Sequence, residues 1–317
     1  MNDPVPPGRP LVWTTLRPIH NDCENLRRAL AKLAEDDRDF TVDDEDVDGQ
    51  IIIRALGELH LEIICERLAR EHSVYVESSG PNIIYLETIH ETSAAEGKFN
   101  SQSGARSRYA HVVIRIEPNP TKGYEFANEV PKGAIPNKYV DPVDKGIQYA
   151  LKAGAVAGYE VVDVRVTLCD GSYHEGDSDD EAFENAGFMA AKEAIRQASP
   201  VLLEPLMSLE IRVPQELSGS VVGDLSLRRG RIEGMEVRVG EQIIHATVPL
   251  AEIIGYATDL RSITRGRANL SARFANYEQA SGLPPAGDDP IGITANKPWK
   301  PRPKRGAEAV EPPCLDS

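Results

Sequence analysis

Two well-separated stretches of this 317-residue chain carry the same succession of apolar periods, and that repetition constrains the fold more than any other feature. In the first, residues 11–16 read as a strand. Asp22 can cap a helix bearing Leu26, Ala29, Leu30 and Leu33 at spacings of three and four. An acidic segment, 35–48, reads as a solvated helix end and hairpin; residues 50–55 then predict a strand, 58–71 a helix and 73–77 a strand. Strand, helix, strand, strand, helix, strand is the order of a ferredoxin-like sandwich. In the second stretch, 204–279, a strand over 207–213 is followed by Pro214, suited to a first helical turn, and by a helix with Val221, Val222 and Leu225 facing inward. Strands over 231–239 and 242–248 join through Gly240-Glu241, whose glycine fits a type II′ turn. A helix over 250–263 and a strand to Phe274 close the second copy.

Between the copies the strands lengthen. Residues 109–116 put Val112, Ile114 and Ile116 on one face and His111, Val113 and Arg115 on the other. Residues 124–130 form a further strand, and Val140, Val143, Ile147 and Leu151 mark a helix that Gly154 can end. Residues 160–168 alternate Val162, Val164, Val166 and Leu168 with polar side chains. The polar loop GSYHEGDS, 171–178, follows; Ser178 and Glu181 then have the spacing of an N-cap box, and Phe183, Ala186, Ala190 and Ala194 continue at helical spacing. On spacing alone the loop reads as solvated surface held out from a packed base.

The expected fold class is α+β: two ferredoxin-like βαββαβ sandwiches flanking a central α+β domain with an extended tip, and a disordered tail. The expected divisions are a lead-in over 1–9, domains over 10–79, 80–203 and 204–282, and a Pro-rich tail over 283–317.

A formal net charge of -15 disfavours indiscriminate adhesion to phosphates. Cys23, Cys65, Cys169 and Cys314 have no paired spacing, which fits a reducing cytoplasm and neither a disulfide framework nor a zinc knuckle. The start has no basic-then-apolar leader, and no apolar run is long enough to span a bilayer, so no membrane partner is expected. Within the acidic segment, Asp43 to Asp46 lacks the glycine and terminal glutamate of a calcium loop. His60, beside Glu58 at a helix start, reads as a packing or capping residue before it reads as a ligand. No metal or cofactor is expected.

The run VVDVRVTLCDGSYHEGDSDDEAF, 161–183, resembles the tip of the fourth domain of elongation factor G. GELHLEI, 57–63, resembles that family's third domain, and GDLSLRRGRIEGM, 223–235, with GYATDLRSITRGR, 255–267, resembles its fifth. Residues 102–108, QSGARSR, resemble the second loop at the same tip, although Ala105, Ser107 and Ala110 stand where the family has glycine. Alanine resists backbone angles that glycine permits, so a stiffer loop is expected. Arg108 stands where the family has glutamine, Asp179 where it has serine and Glu181 where it has methionine. The resemblance runs from about residue 10 to residue 278.

The resemblance implies a ribosome-binding module of protein synthesis. Its implied RNA contacts at the tip are His174, Tyr173, Ser172, Arg106 and Arg108, near the small-subunit decoding centre. Those at the base are Arg228, Arg229, Arg231, Arg261, Arg265 and Arg267, near the large-subunit factor-binding centre. Solvated arginines are the alternative reading of the base group. No GxxxxGK[ST] phosphate loop occurs, Gly97-Lys98 is followed by Phe99, and Asn137-Lys138 lacks the guanine-reading aspartate. No catalytic residues and no GTP site are therefore expected in this chain. Two alternatives stand beside the module reading: one half of a split translational GTPase whose nucleotide domain is on a separate chain, and a truncated copy without function.

Overall fold

The computed structural model describes residues 9–19, 22–43, 50–103 and 106–281, without the side chains of residues 102, 103 and 106. Residues 1–8 of the expected lead-in, the Pro-rich tail, the acidic run 44–48, Gly104, Ala105 and Cys314 lie outside the described residues.

The first unit is built as its apolar periods require. It holds β1 (Val12–Pro18), α1 (Cys23–Asp36), β2 (Thr41–Asp43), β3 (Ile51–Ala55), α2 (Glu58–His72) and β4 (Val76–Ser78). The sheet order is β2-β3-β1-β4, and a short β5 (Asn82–Ile83) adds to the start of β1. Asp22 caps α1, its Oδ1 accepting the Asn25 N–H at 3.0 Å. Leu26, Ala29, Leu30 and Leu33 are the buried face of that helix. His60 is a tie within this unit: it is hydrogen-bonded to Asp37 at 2.9 Å and sits edge-on to Phe40.

After β6 (Leu86–Ile89) the central unit opens with a long hairpin, β7 (Ser93–Ser103) and β8 (Arg106–Pro118). Then come β9 (Glu125–Asn128), α3 (Val140–Ala153), β10 (Val164–Ser172) and α4 (Asp180–Gln197). The sheet order is β7-β8-β10-β9, with β9 parallel to β10 and the other pairs antiparallel. Periodicity did not predict β7, whose Ala95 and Gly97 present little apolar bulk. The small face of α4, with Ala182, Ala186, Ala190 and Ala194 buried, lies close enough that a Cβ on Gly97 would meet the Ala186 carbonyl. The expected loop over 102–108 is correspondingly shorter, because Ser103 already pairs with Arg106.

The third unit repeats the first with β11 (Pro200–Pro214), α5 (Ser218–Leu227), β12 (Arg231–Arg238), β13 (Glu241–Pro249), α6 (Leu250–Ile253), α7 (Tyr256–Thr264) and β14 (Asn269–Gln279), in the order β12-β13-β11-β14. Three sequence expectations need correction here. Arg238 pairs with Glu241, so the turn residues are Val239 and Gly240, and the positive φ of 78° falls on the second, as in a type II turn. The single helix expected over 250–263 breaks at Gly255, which adopts a φ of 73°. Pro214 ends β11, and a short 3-10 turn, Gln215–Leu217, leads into α5.

Apolar burial joins these units unequally. The first and third share one cluster, running from Leu11 and Leu16 through Tyr85 to Leu209 and Leu260. The central unit has its own, built on Val112, Ile114, Val166, Phe183 and Ala190. The junction between them is polar and tightly held. β6 adds to the β11 edge, and Glu87 within it is fully buried. Its carboxylate accepts the backbone N–H groups of Ala155, Val156, Ala157 and Tyr159 at 2.8–3.1 Å.

Candidate nucleic-acid interface

The far end of the central sheet is made by two strand ends and the loop after β10. Leaving β10, Gly171 passes the His111 carbonyl so closely that any Cβ would collide with it and with Ile135. The next residues turn back and are tied to β8. Tyr109 N–H donates to the Asp177 carbonyl at 2.8 Å, and the Ser178 hydroxyl donates to the Tyr109 carbonyl at 2.6 Å. The same hydroxyl accepts the His174 N–H at 3.0 Å.

Ser178 is therefore a clasp between loops and not the helix cap expected from the box spacing. Asp179 caps α4, its Oδ1 accepting the Ala182 N–H at 2.8 Å. The Ser178 hydroxyl is directed at Tyr109 and His174 instead, and the cap falls one residue later. Serine at the Asp179 position would be an equally good N-cap.

The candidate tip residues divide by exposure. His174 is exposed, and its ring stacks on Tyr109 with centroids 4.1 Å apart and planes 22° apart. Tyr173 is half-buried against the central core, and Ser172 is turned toward the Tyr109 hydroxyl at 3.0 Å and His111 at 3.4 Å. His111 in turn meets Glu96 at 3.1 Å. Arg108 reaches across to the α4 end, with Nε 3.1 Å from Asp179 and Nη1 2.7 Å from Glu181. Asp179 and Glu181 are thus both paired with Arg108. Arg106 lies at the start of β8, and its side chain is outside the described residues.

The six base arginines, alike in sequence, are sorted by the fold. Arg228 donates to Asp224 and Asp259, each at 2.8 Å, and to the Glu252 carbonyl, while covering the Tyr256 ring. Arg229 makes a two-pronged contact to Glu204, whose side chain is only 7% exposed. That hydrogen bond raises the Arg229 guanidinium above its ordinary value. Arg231 pairs with Glu278 at 2.8 Å and Arg267 with Glu216 at 2.9 Å, both at the surface. Among the described residues, Arg261 and Arg265 are exposed and no ion pair involves either. They lie four residues apart at the end of α7, where Arg265 itself takes a left-handed φ of 54°.

Residues 10–79 match the family model for elongation factor G domain III, 81–199 that for domain IV, and 201–286 that for the elongation factor G C-terminus. The chain belongs to the elongation factor G family. It is also similar to a crystal structure of a protein from Thermus thermophilus, at 38% identity and a TM-score of 0.67. That likeness covers 86% of this chain and 41% of the Thermus chain. Both elongation factor G domains at the ends of the match, III and C-terminal, coincide with the two ferredoxin-like sheets, and domain IV with the hairpin-tipped sheet between them.

Sequence reasoning missed the partners more than the sites. Glu204 and Glu278, which occupy Arg229 and Arg231, sit on different strands from the arginine motif. Glu87 left only a faint signal, one carboxylate directly after the apolar run 83–86, facing a loop whose glycines at 154 and 158 take positive φ. No helix among the described residues is long and apolar enough to cross a membrane, and none of their His, Cys, Asp and Glu side chains group in threes that could hold a metal ion.

Proposed function

We propose that this chain is a ribosome-binding module of protein synthesis that acts in the cytoplasm through two surfaces. The first is the domain IV tip, directed at the small-subunit decoding centre. The second is the α7 end of the C-terminal domain, directed at the factor-binding centre of the large subunit. The observation that carries the reading is the composition of the tip: His174 stacked and exposed on Tyr109, with Asp179 and Glu181 held aside by Arg108. An aromatic platform of that kind suits an unstacked RNA base, and masking two carboxylates removes repulsion of roughly 1 kcal/mol each from a nearby phosphate. At the base, Arg261 and Arg265 are the cations free to meet phosphates, while Arg228 and Arg229 serve the fold. With no phosphate-cradling loop in its 317 residues, the chain leaves GTP to another domain.

The test is co-sedimentation with separated ribosomal subunits. The chain should pellet with small subunits, and His174→Ala should weaken that binding about tenfold without lowering the melting temperature, as removal of one stacking partner predicts. Equal binding by the variant would remove the tip from the interface. A second reading, a working partnership with a GTPase domain on a separate chain, is favoured by one feature. Leu59 and Ile63 lie one turn apart on α2, both exposed, an apolar pair of the sort that marks a protein contact.

A further inference from the structure

Lysine is not spread evenly over this molecule. Lys32 aside, every lysine among the described residues lies between positions 98 and 192, in domain IV. Three of them, Lys138, Lys145 and Lys152, stand seven residues apart along α3 and the 3-10 turn that leads into it. Seven residues make close to two helical turns, so the three share one stripe with steps of about 10 Å. All three are exposed, and Tyr149, 54% exposed, stands between the second and the third. Lys192 adds a fourth cation from α4, its Nζ 5.6 Å from the centre of the Phe188 ring.

The packing beneath holds the stripe rigid. Tyr139 stacks on Phe183 with centroids 4.4 Å apart, and a Cβ on Gly187 would meet the Val143 carbonyl, so α3 and α4 run parallel in close contact. Gly146 is pressed as closely against the Glu184 carbonyl. A net charge of -15 supplies ample carboxylate to pair four lysines, yet among the described residues no ion pair involves any of them. Several neighbouring carboxylates are engaged elsewhere. Asp144 accepts from the Tyr124 hydroxyl and from Gln148, Glu193 accepts from Gln197 at 2.8 Å, and Glu160 pairs with Arg9. Asp141, in the first turn of α3, and Glu184 are the remaining acids beside the stripe.

We propose that the α3 side of domain IV docks the phosphate backbone of double-stranded RNA. Even steps between charges on a rigid frame suit a regular array of phosphates, and lysine meets phosphate as a point charge without reading bases. Tyr149 offers its hydroxyl to a phosphate or ribose beside them. A single exposed ring falls short of the stacking platform that a single strand uses, which sets this side apart from the tip. The proposal stands on the stripe alone and holds whether or not the tip engages a ribosome.

The test is fluorescence anisotropy of a labelled RNA duplex of about 16 base pairs, titrated with the full chain over a series of salt concentrations. We expect measurable affinity in low salt that falls as salt rises, because binding neutralises phosphates. The triple variant Lys138→Gln, Lys145→Gln, Lys152→Gln should weaken binding about tenfold or more and flatten the slope of log affinity against log salt by roughly 2–3. Arginine at the same three positions should keep both, which separates lost charge from lost fold. Lys145→Gln alone should lower the slope by about 0.9, and Lys32→Gln, in the first unit, should leave it unchanged. An undiminished slope in the triple glutamine variant would overturn the proposal. Equal changes from Lys32→Gln and Lys145→Gln would do the same, by reducing the stripe to net charge. So would displacement by poly-glutamate as readily as by unlabelled duplex, since the face would then serve an acidic protein.

Discussion

The tip and the base of this molecule both use arginine against carboxylate, with opposite consequences. At the base, a carboxylate is withdrawn from water: Glu204 is 7% exposed, and Arg229 covers it with two hydrogen bonds. At the tip, Asp179 and Glu181 are 45% and 65% exposed, and Arg108 bridges them at the surface. A buried carboxylate stripped of its partner keeps its full desolvation cost, whereas an exposed one returns to water. The same pairing is therefore structural in one region and electrostatic dressing in the other. The apolar clusters run parallel to this division, one shared by the two ferredoxin-like units and one private to the tip unit.

The difference should be largest in stability. Arg229→Ala should cost about 3 kcal/mol in urea unfolding, because Glu204 is left buried and charged. Changing Glu204→Gln in the same molecule should recover part of the loss. Arg108→Ala should cost less than about 1 kcal/mol, as exposed pairs do. A loss at Arg108 as large as that at Arg229 would erase the distinction between the regions.

In binding the order reverses. Arg108→Ala uncovers two carboxylates at the tip and should weaken small-subunit affinity about thirtyfold, at roughly 1 kcal/mol per exposed charge. Adding Asp179→Ser and Glu181→Met to it should restore affinity, since serine keeps the α4 cap. Failure of that rescue would separate Arg108 from the carboxylates.

The smallest effect concerns acid. The hydrogen bond from Arg231 holds the Glu278 carboxyl below its ordinary 4.5, and a backbone hydrogen bond from Asp39, aided by His60, holds Asp37 below its ordinary 3.8. Groups with depressed folded values add stability that is fully present above the ordinary value and is lost as pH falls through the folded one. Thermal stability should thus be level between about pH 7 and 5 as far as these groups act, and decline below the ordinary carboxylate range. Arg231→Ala should make that decline slightly shallower, and a steeper one would place the pair's contribution elsewhere.

How much of this was legible in the sequence follows from the range of the interactions. Both ferredoxin-like orders could be read because Leu26, Leu30 and Leu33, or Val221 and Leu225, repeat at helical spacing within one element. β7 could not, because its inward face is Ala95 and Gly97, small residues chosen by the closeness of α4. The tip loop was legible as a motif, but the roles inside it were not. Ser178 has the spacing of a cap, and only the approach of Tyr109, 69 residues earlier, takes its hydroxyl away. At the base, the motifs offer six arginines, of which Arg228, Arg229 and Arg231 are the densest cluster. Glu204, 25 residues from Arg229, and Glu278, 47 residues from Arg231, decide which of them are occupied.

The central claim is that, at the base, free arginines bind and tied ones hold. The salt dependence of association with large ribosomal subunits tests it most directly. Removing one arginine from a phosphate should lower the slope of log affinity against log salt by roughly 0.7–0.9. The double variant Arg261→Ala, Arg265→Ala should flatten the slope by about 1.5 while leaving unfolding unchanged. An unaltered slope in that variant, with a flattened one in a folded Arg231→Ala protein, would contradict the account.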